Sequence, residues 1–217
     1  RPDLARRLAL PGARLGKGMR TEGVRRRVGL RKRAGLGKVA AILERTKELI
    51  SEGERVFVAT WYKAEAEAIV AALGDKAVKI VGGMSDNAKA EAQRRFTTDD
   101  CDDEAQVLVG NIIAAGTGLT LHGSGKCRTL IVGSLPWEPS SLAQVEDRLC
   151  RIGQTRTVHS IIAIAAHPDG RDSIDGQVFG LLRAKSEATT MIHDGAKCDG
   201  LVDEQSIADA LMEYYGG

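Results

Sequence analysis

Two arginines and a glutamine within one short segment carry the clearest chemical signal in the chain. In Gln144-Val145-Glu146-Asp147-Arg148-Leu149-Cys150-Arg151-Ile152-Gly153-Gln154, the residues Gln144, Arg148 and Arg151 stand at i, i+4 and i+7. On a helix that spacing places all three on one face. Two guanidiniums fixed side by side offer planar, multidentate donors to the spread charge of a transferring phosphoryl group. Val145, Leu149 and Ile152 then form an apolar stripe on the other side, expected to pack on a sheet. The same residues also admit a plainer reading. Asp147 can pair with Arg151 on a surface helix, and Gln144 can close a capping box with Ser141.

A second candidate is Ala114-Ala115-Gly116-Thr117-Gly118-Leu119-Thr120-Leu121, just after the apolar run Val107–Val109. Small residues at the carboxyl end of a strand let backbone approach a phosphate or a nucleic-acid strand closely. A dinucleotide fingerprint would need a helix directly after the glycines, and LTLHGSGK is a poor helix. A tight turn in a connection explains the glycines equally. No P-loop is spelled, because Gly35-Leu36-Gly37-Lys38 lacks the first glycine, is followed by Val39 and has no strand before it. Asp103-Glu104-Ala105-Gln106 reads like a Walker B string, but it precedes a strand instead of ending one, so a chance match is expected.

These residues need elements to hold them. Short β-branched runs predict strands at Val56–Ala59, Val78–Val81, Val107–Val109, Leu130–Val132 and His159–Ala165. Helical patterns lie between them at Lys38–Ser51, Lys63–Leu73, Asp86–Phe96 and Leu142–Arg151, then at about 173–192 and 204–214. Gly74 is a natural stop, and Ser85 a natural N-cap with Asp86 at the positive dipole end. Strands alternating with helices predict an α/β fold, a parallel sheet with helices on both faces and right-handed crossovers. Ligands in such sheets sit at the carboxyl ends of the strands.

The chain has 217 residues, a size for one domain with a large aliphatic core, since aromatics make up only 4%. The formal net charge of +2 hides an asymmetry. Residues 1–38 carry 13 Lys/Arg against Asp3 and Glu22, a net of +11, while residues 39–217 carry a net of −9. The basic run can bind polyanions by counterion release, or it can be a solvated extension. The acidic stretch Thr97–Glu104 reads as a solvated loop. Cys101, Cys127, Cys150 and Cys198 form no CxxC unit, which argues against a zinc ribbon and for a reducing, intracellular setting. No apolar run is long enough for a membrane span. The start at Arg1, with no signal-peptide pattern behind it, suggests a piece of a longer protein.

Taken in order, several segments spell a family. DRLCRIGQ resembles motif VI of the Swi/Snf-type branch of helicase superfamily 2, written DRxxRIGQ. Val56–Leu73 resembles motif IV and its helix, and Ile80–Phe96 the family's dGxxs…R…F segment. AAGTGLTL resembles motif V. Leu135-Pro136-Trp137-Glu138-Pro139 resembles the W-N-P segment, and 157–195 the closing strand and bracing helix. The likeness covers roughly residues 36–195 and looks nearest to annealing-helicase and phage-type members. Lys89 stands near the family's usual Arg or Lys, Glu138 replaces the usual Asn, and Gly133-Ser134 stand where an acid often lies.

The resemblance implies the second RecA-like lobe of a DNA-dependent ATPase. A basic arm (1–37) would precede the lobe (38–195), and a tail (196–217) would follow it. ATP with Mg2+ would be held mainly by a first RecA-like lobe upstream in the same protein. Arg148 and Arg151 would reach across as arginine fingers, with Gln144, Asp147 and Gln154 supporting the nucleotide edge. Gly116 and Gly118 would couple that edge to DNA. Thr60, Gly82, Ser85, Lys89 and Thr120 would contact the DNA backbone without reading sequence, and Trp137 would lie near DNA or pack as a core indole. The nearest relatives point to a bacterial or phage cytoplasm, with the nucleus as the alternative for a eukaryotic host. Two rivals remain: a non-catalytic nucleic-acid-binding module on a degenerate lobe, and a Rossmann-like binder using Gly116–Gly118. An intact motif VI is needed by neither.

Overall fold

The computed structural model describes residues 28–98, 104–115, 119–122, 125–166, 169 and 173–193. Gly116, Gly118, most of the acidic loop, the arm before residue 28 and the expected 204–214 helix lie outside the described residues.

Residues 28–37 are helical (α1) and lead through Lys38 into α2 (Val39–Ser51). Then follow β1 (Arg55–Thr60), α3 (Lys63–Leu73), a single 3-10 turn (Gly74–Lys76), β2 (Ala77–Ile80), α4 (Asp86–Thr97), β3 (Val107–Asn111) and the one-turn α5 (Ile112–Ala115). β4 (Cys127–Val132), α6 (Pro139–Glu146), β5 (His159–Ile162) and α7 (Ile174–His193) complete the described chain. All five strands run parallel in the order β2-β3-β1-β4-β5.

Alternation along the strands builds two cores. Phe57, Leu108, Leu130 and Val132 face one side, where they meet Ala92 and Phe96 of α4, Val145 and Leu149, and Val178 and Leu182 of α7. Val56, Val58, Val107, Val109 and Ile131 face the other side, against Ile42 and Leu49 of α2 and Ala66 and Ile69 of α3. Both faces of the central strand are covered, so all six residues of β1 are buried. Each large aliphatic side chain taken fully out of water contributes about 1.5–3 kcal/mol. Ser85 caps α4 as its type predicts, its hydroxyl accepting from the Ala88 N–H at 3.3 Å.

The structure departs from the sequence reading in four places. The expected helix Leu142–Arg151 is shorter, starting at Pro139 with Glu138 as N-cap and ending at Glu146, with turns beyond. Proline at the first helical turn is pre-set for that role, so Ser141 falls inside the helix and caps nothing. Ile152, expected in the apolar stripe, is fully exposed, while Val145 and Leu149 are fully buried. β5 stops at Ile162, short of Ala165, as a half-exposed edge strand. Lastly, part of the presumed arm is helix packed on the lobe: Arg31 is only 4% exposed.

Candidate functional site

The carboxyl ends of β3 and β4 lead into the two segments that carry the candidate chemistry, and hydrogen bonds strap those segments together. The Leu121 N–H donates to the Arg148 carbonyl at 3.0 Å, and Arg148 Nη1 donates to the Leu119 carbonyl at 3.3 Å. Arg151 Nη1 donates to Thr120 Oγ1 at 3.0 Å and its Nε to the Asp147 carbonyl at 3.2 Å. From the other side, Gln93 Nε2 of α4 donates to the Thr120 carbonyl at 3.0 Å. Thr120 is thereby the node between α4 and the turn that bears Arg151.

An open cleft of about 660 Å3 is lined by Thr120, Asp147, Cys150, Arg151 and Ile152. Arg151 is exposed within it, whereas Arg148 is 8% exposed and lies beneath the 119–121 strap. Burial, then the neighbouring Arg151 charge, holds the Arg148 guanidinium below its ordinary value, with Asp147 opposing. It stays cationic at neutral pH. Two adjacent cations, one poorly hydrated, make the cleft favourable to an anion. Partial burial and the carboxylates of Asp147 and Glu146 push the Cys150 thiol up, so it is a thiol and not a nucleophilic thiolate at neutral pH.

Gln154 does a different job from the one expected. Its Nε2 donates to the carbonyls of Cys127 (2.9 Å) and Leu149 (3.3 Å), and its Oε1 accepts from the Arg156 N–H at 3.1 Å. An amide committed to three backbone groups staples the turn to the amino end of β4 and leaves little for a nucleotide. Gly153 completes that turn at φ +102°, where a side chain would also press on His122, 3.0 Å from its ring. Gln144 is exposed on α6 and is not among the residues lining the cleft, because the helix ends before Arg148 and the shared face is lost.

The residues expected at DNA divide similarly. Gly82 and Ser85 are exposed in the loop after β2, and the partly exposed Lys89 lies 3.2 Å from Asp86 Oδ1. Thr60 is a correction: it has no accessible surface and its hydroxyl sits 3.5 Å from the Gly110 carbonyl, so it cannot touch DNA in this conformation. Trp137 is half-buried, packed on the core, with the Arg31 guanidinium 4.2 Å above its ring. The Walker-B-like string is also resolved: Glu104 pairs with Arg55 at 3.0 Å, ahead of β3.

Sequence reasoning missed a buried polar junction beside this edge. Lys38 Nζ lies 2.6 Å from Asp175 Oδ2 and donates to the Ala163 carbonyl at 2.9 Å. The same Asp175 oxygen accepts from the Ala165 N–H at 3.0 Å, which ties α2 and α7 to the end of β5. Ser134 Oγ donates to Glu65 Oε1 at 2.7 Å, and Arg31 donates to the Leu135 carbonyl. A side chain at Gly35 would collide with Glu65, 1.6 Å from its Oε1. Within Gly35-Leu36-Gly37-Lys38, Gly35 and Lys38 thus serve packing, while Leu36 and Gly37 are exposed. The signal for this packing was present in the sequence, since Arg31, Gly35 and Lys38 also stand at i, i+4 and i+7.

A parallel sheet in this order, with its candidate residues on the carboxyl edge, defines a RecA-like lobe. The C-terminal part of the Fun30 ATPase domain has the same fold, with a TM-score of 0.60 at 19% identity, over 82% of this chain and 52% of that one. The chain belongs to the helicase conserved C-terminal domain family, whose model matches residues 38–153, more than half of its length. It is 31% identical over 129 residues to the SWI/SNF-related matrix-associated actin-dependent regulator of chromatin subfamily A-like protein 1 of Xenopus tropicalis, covering 58% of this chain and 13% of that protein. It is 28% identical over 120 residues to the human DNA annealing helicase and endonuclease ZRANB3, covering 55% of this chain and 10% of that protein. The chain thus matches only a small part of each relative, and these matches are consistent with a Swi/Snf-type superfamily 2 C-terminal lobe. These relatives are eukaryotic and lend no support to the expected bacterial or phage host.

Proposed function

We propose that this lobe is the second motor half of an ATP-dependent DNA translocase of the Swi/Snf type, and that Arg151 is its arginine finger. The observation that carries the proposal is the exposed Arg151 guanidinium in the Thr120–Asp147–Ile152 cleft, oriented by Thr120 and the Asp147 carbonyl. The cleft suits one edge of a nucleotide: it offers a guanidinium, a hydroxyl and the apolar Ile152 wall. By the resemblance to its family, ATP with Mg2+ is assigned mainly to a first RecA-like lobe of the same protein. When bound, ATP supplies the phosphoryl group whose transfer to water drives the motor.

In this reading, Arg151 stabilises the charge that develops on the transferring group when the lobes close. Arg148, the other finger expected from motif VI, acts from below. It holds the Leu119–Leu121 strap and adds positive potential next to Arg151. Gly116 and Gly118 carry the coupling between nucleotide and DNA edges, Gly82, Ser85 and Lys89 face the DNA backbone, and Thr120, expected at the DNA as well, instead lines the cleft and orients Arg151. The chromatin-regulator description of the frog relative makes the nucleus the proposed setting.

The test is DNA-stimulated ATP turnover by the intact two-lobed protein. Arg151→Ala should lower turnover by about 10³-fold; unchanged turnover would sink the finger assignment. The 217-residue chain by itself should not hydrolyse ATP. DNA-stimulated hydrolysis by that chain, lost in Arg151→Ala, would overturn the division of labour between lobes.

A further inference from the structure

Helix α1 has a polar inner face and a basic outer one. Arg31 and Gly35 point inward, onto Leu135, Trp137, Glu65 and Ser134. Glu65 follows the carboxyl end of β1, and Ser134 follows that of β4, so α1 lies over the middle of the edge where ligands of such sheets bind. Burial lowers the Arg31 pKa, with Tyr62, Asp175 and Glu65 opposing, and a buried guanidinium is a costly anchor for a helix with no other task.

Lys32 and Arg33 face outward and are exposed. Among the described residues, neither has a carboxylate within ion-pair distance. Several exposed basic side chains elsewhere are matched, Arg45 with Glu48, Lys63 with Glu67, Arg94 with Glu91 and Arg183 with Glu187, while among the described residues Lys47 and Lys76 form no ion pair either. The body after residue 38 carries a net of −9, which repels a polyanion, while residues 1–38 carry +11, including Arg25-Arg26-Arg27 just ahead of α1. Charge of that sign, docked by a purpose-built buried contact at that edge, supplies what the body lacks.

We propose that the outer face of α1, with Lys32 and Arg33, is a phosphate-binding element for duplex DNA, held on the motor edge by Arg31 and Gly35. The choice of DNA among polyanions rests on the motor reading above. The outer face of α1 would provide the general, salt-sensitive grip, and the loop contacts around Lys89 the register.

The experiment measures binding of the full 217-residue chain to a fluorescent duplex of about 25 base pairs across a salt series. Lys32→Glu/Arg33→Glu should weaken binding by about tenfold or more and flatten the log–log salt slope by about 2. The charge-matched double reversal Lys47→Glu/Lys76→Glu, at exposed residues nearer the amino edge of the sheet, should change little. Equal losses from both reversals would reduce the effect to bulk charge and overturn the site. Unchanged binding in Lys32→Glu/Arg33→Glu would also overturn it. Should that pair melt early, Lys32→Gln/Arg33→Gln decides by the same slope. Lys89→Glu separates the two readings. Binding lost there but kept in the arm variant defeats the α1 site alone, whereas binding unchanged in both defeats the DNA-facing edge as well.

Discussion

Two segments of this chain share one spacing and end in opposite states. Arg31, Gly35 and Lys38 stand at i, i+4 and i+7, as do Gln144, Arg148 and Arg151. In the first segment the backbone is helical up to the turn at Lys38, and the three residues do share an inner face, 4% exposed at Arg31 and 6% at Lys38. In the second, α6 ends at Glu146 and the chain turns, so Gln144 stays outside, Arg148 drops beneath the 119–121 strap and Arg151 swings into the cleft. Spacing names a face only where the backbone stays helical. The charges that stay on the face are buried and brace the fold, Lys38 paired with Asp175 and Arg31 held by the Leu135 carbonyl and the Trp137 ring. The one released by the turn keeps donors available at the surface, where a ligand can use them.

That contrast can be broken by mutation. The largest stability loss is expected at the buried pair: Lys38→Ala strands Asp175 and should cost about 3–5 kcal/mol by denaturant unfolding. A loss under about 1 kcal/mol would mean the junction is not a brace. Arg151→Ala should show the opposite profile, with stability changed by no more than about 0.5 kcal/mol beside the loss of turnover in the intact protein. A large destabilisation would place Arg151 with the bracing charges. Gly35→Ala forces a carbon onto Glu65 and should cost about 1–3 kcal/mol. If it melts like the parent, α1 packs more loosely than the geometry says.

The smallest effect concerns Glu65. Burial raises its pKa, against the Ser134 hydrogen bond and the Lys38 charge, with Asp175 adding to the rise. Below the ordinary carboxylate range the side chain is protonated in both folded and unfolded chains and carries no penalty. As pH rises past that range, ionising it in the folded state costs stability, and the contribution is lost through the raised value. Glu65→Gln should therefore melt roughly 2–4 °C higher than the parent at neutral pH, with the gap closing on acidification. A gap that widens toward low pH would show that the ionised form is the favoured one.

Much of the fold was legible because it rests on short-range rules. Short continuous β-branched runs located β1 and β3, Ser85 announced α4, and Gly74 closed α3. The DRLCRIGQ string pointed to the family that residues 38–153 match. The errors cluster where long-range packing competes with local pattern. Pro139 moved the start of α6 earlier than periodicity placed it. Ile152 left the apolar stripe because the turn carries it away from the sheet, and Thr60 at a strand end proved fully buried. Arg31 looked like one more cation in a basic run, and only the Trp137 ring and the Leu135 carbonyl, a hundred residues away in sequence, distinguish it.

Composition and pattern by themselves determined an α/β lobe, its strand positions, its charge asymmetry and the arginine pair from which the cleft takes Arg151. Such features follow from backbone propensity and from burying one face at a time. The tertiary structure alone decided which charges are buried and which are offered. Desolvation and pairing depend on neighbours brought together across the sheet: Lys38 with Asp175, Glu65 with Ser134, Arg151 with Thr120. A string of letters lists charged groups, and only the folded arrangement sets what each of them costs and what each can bind.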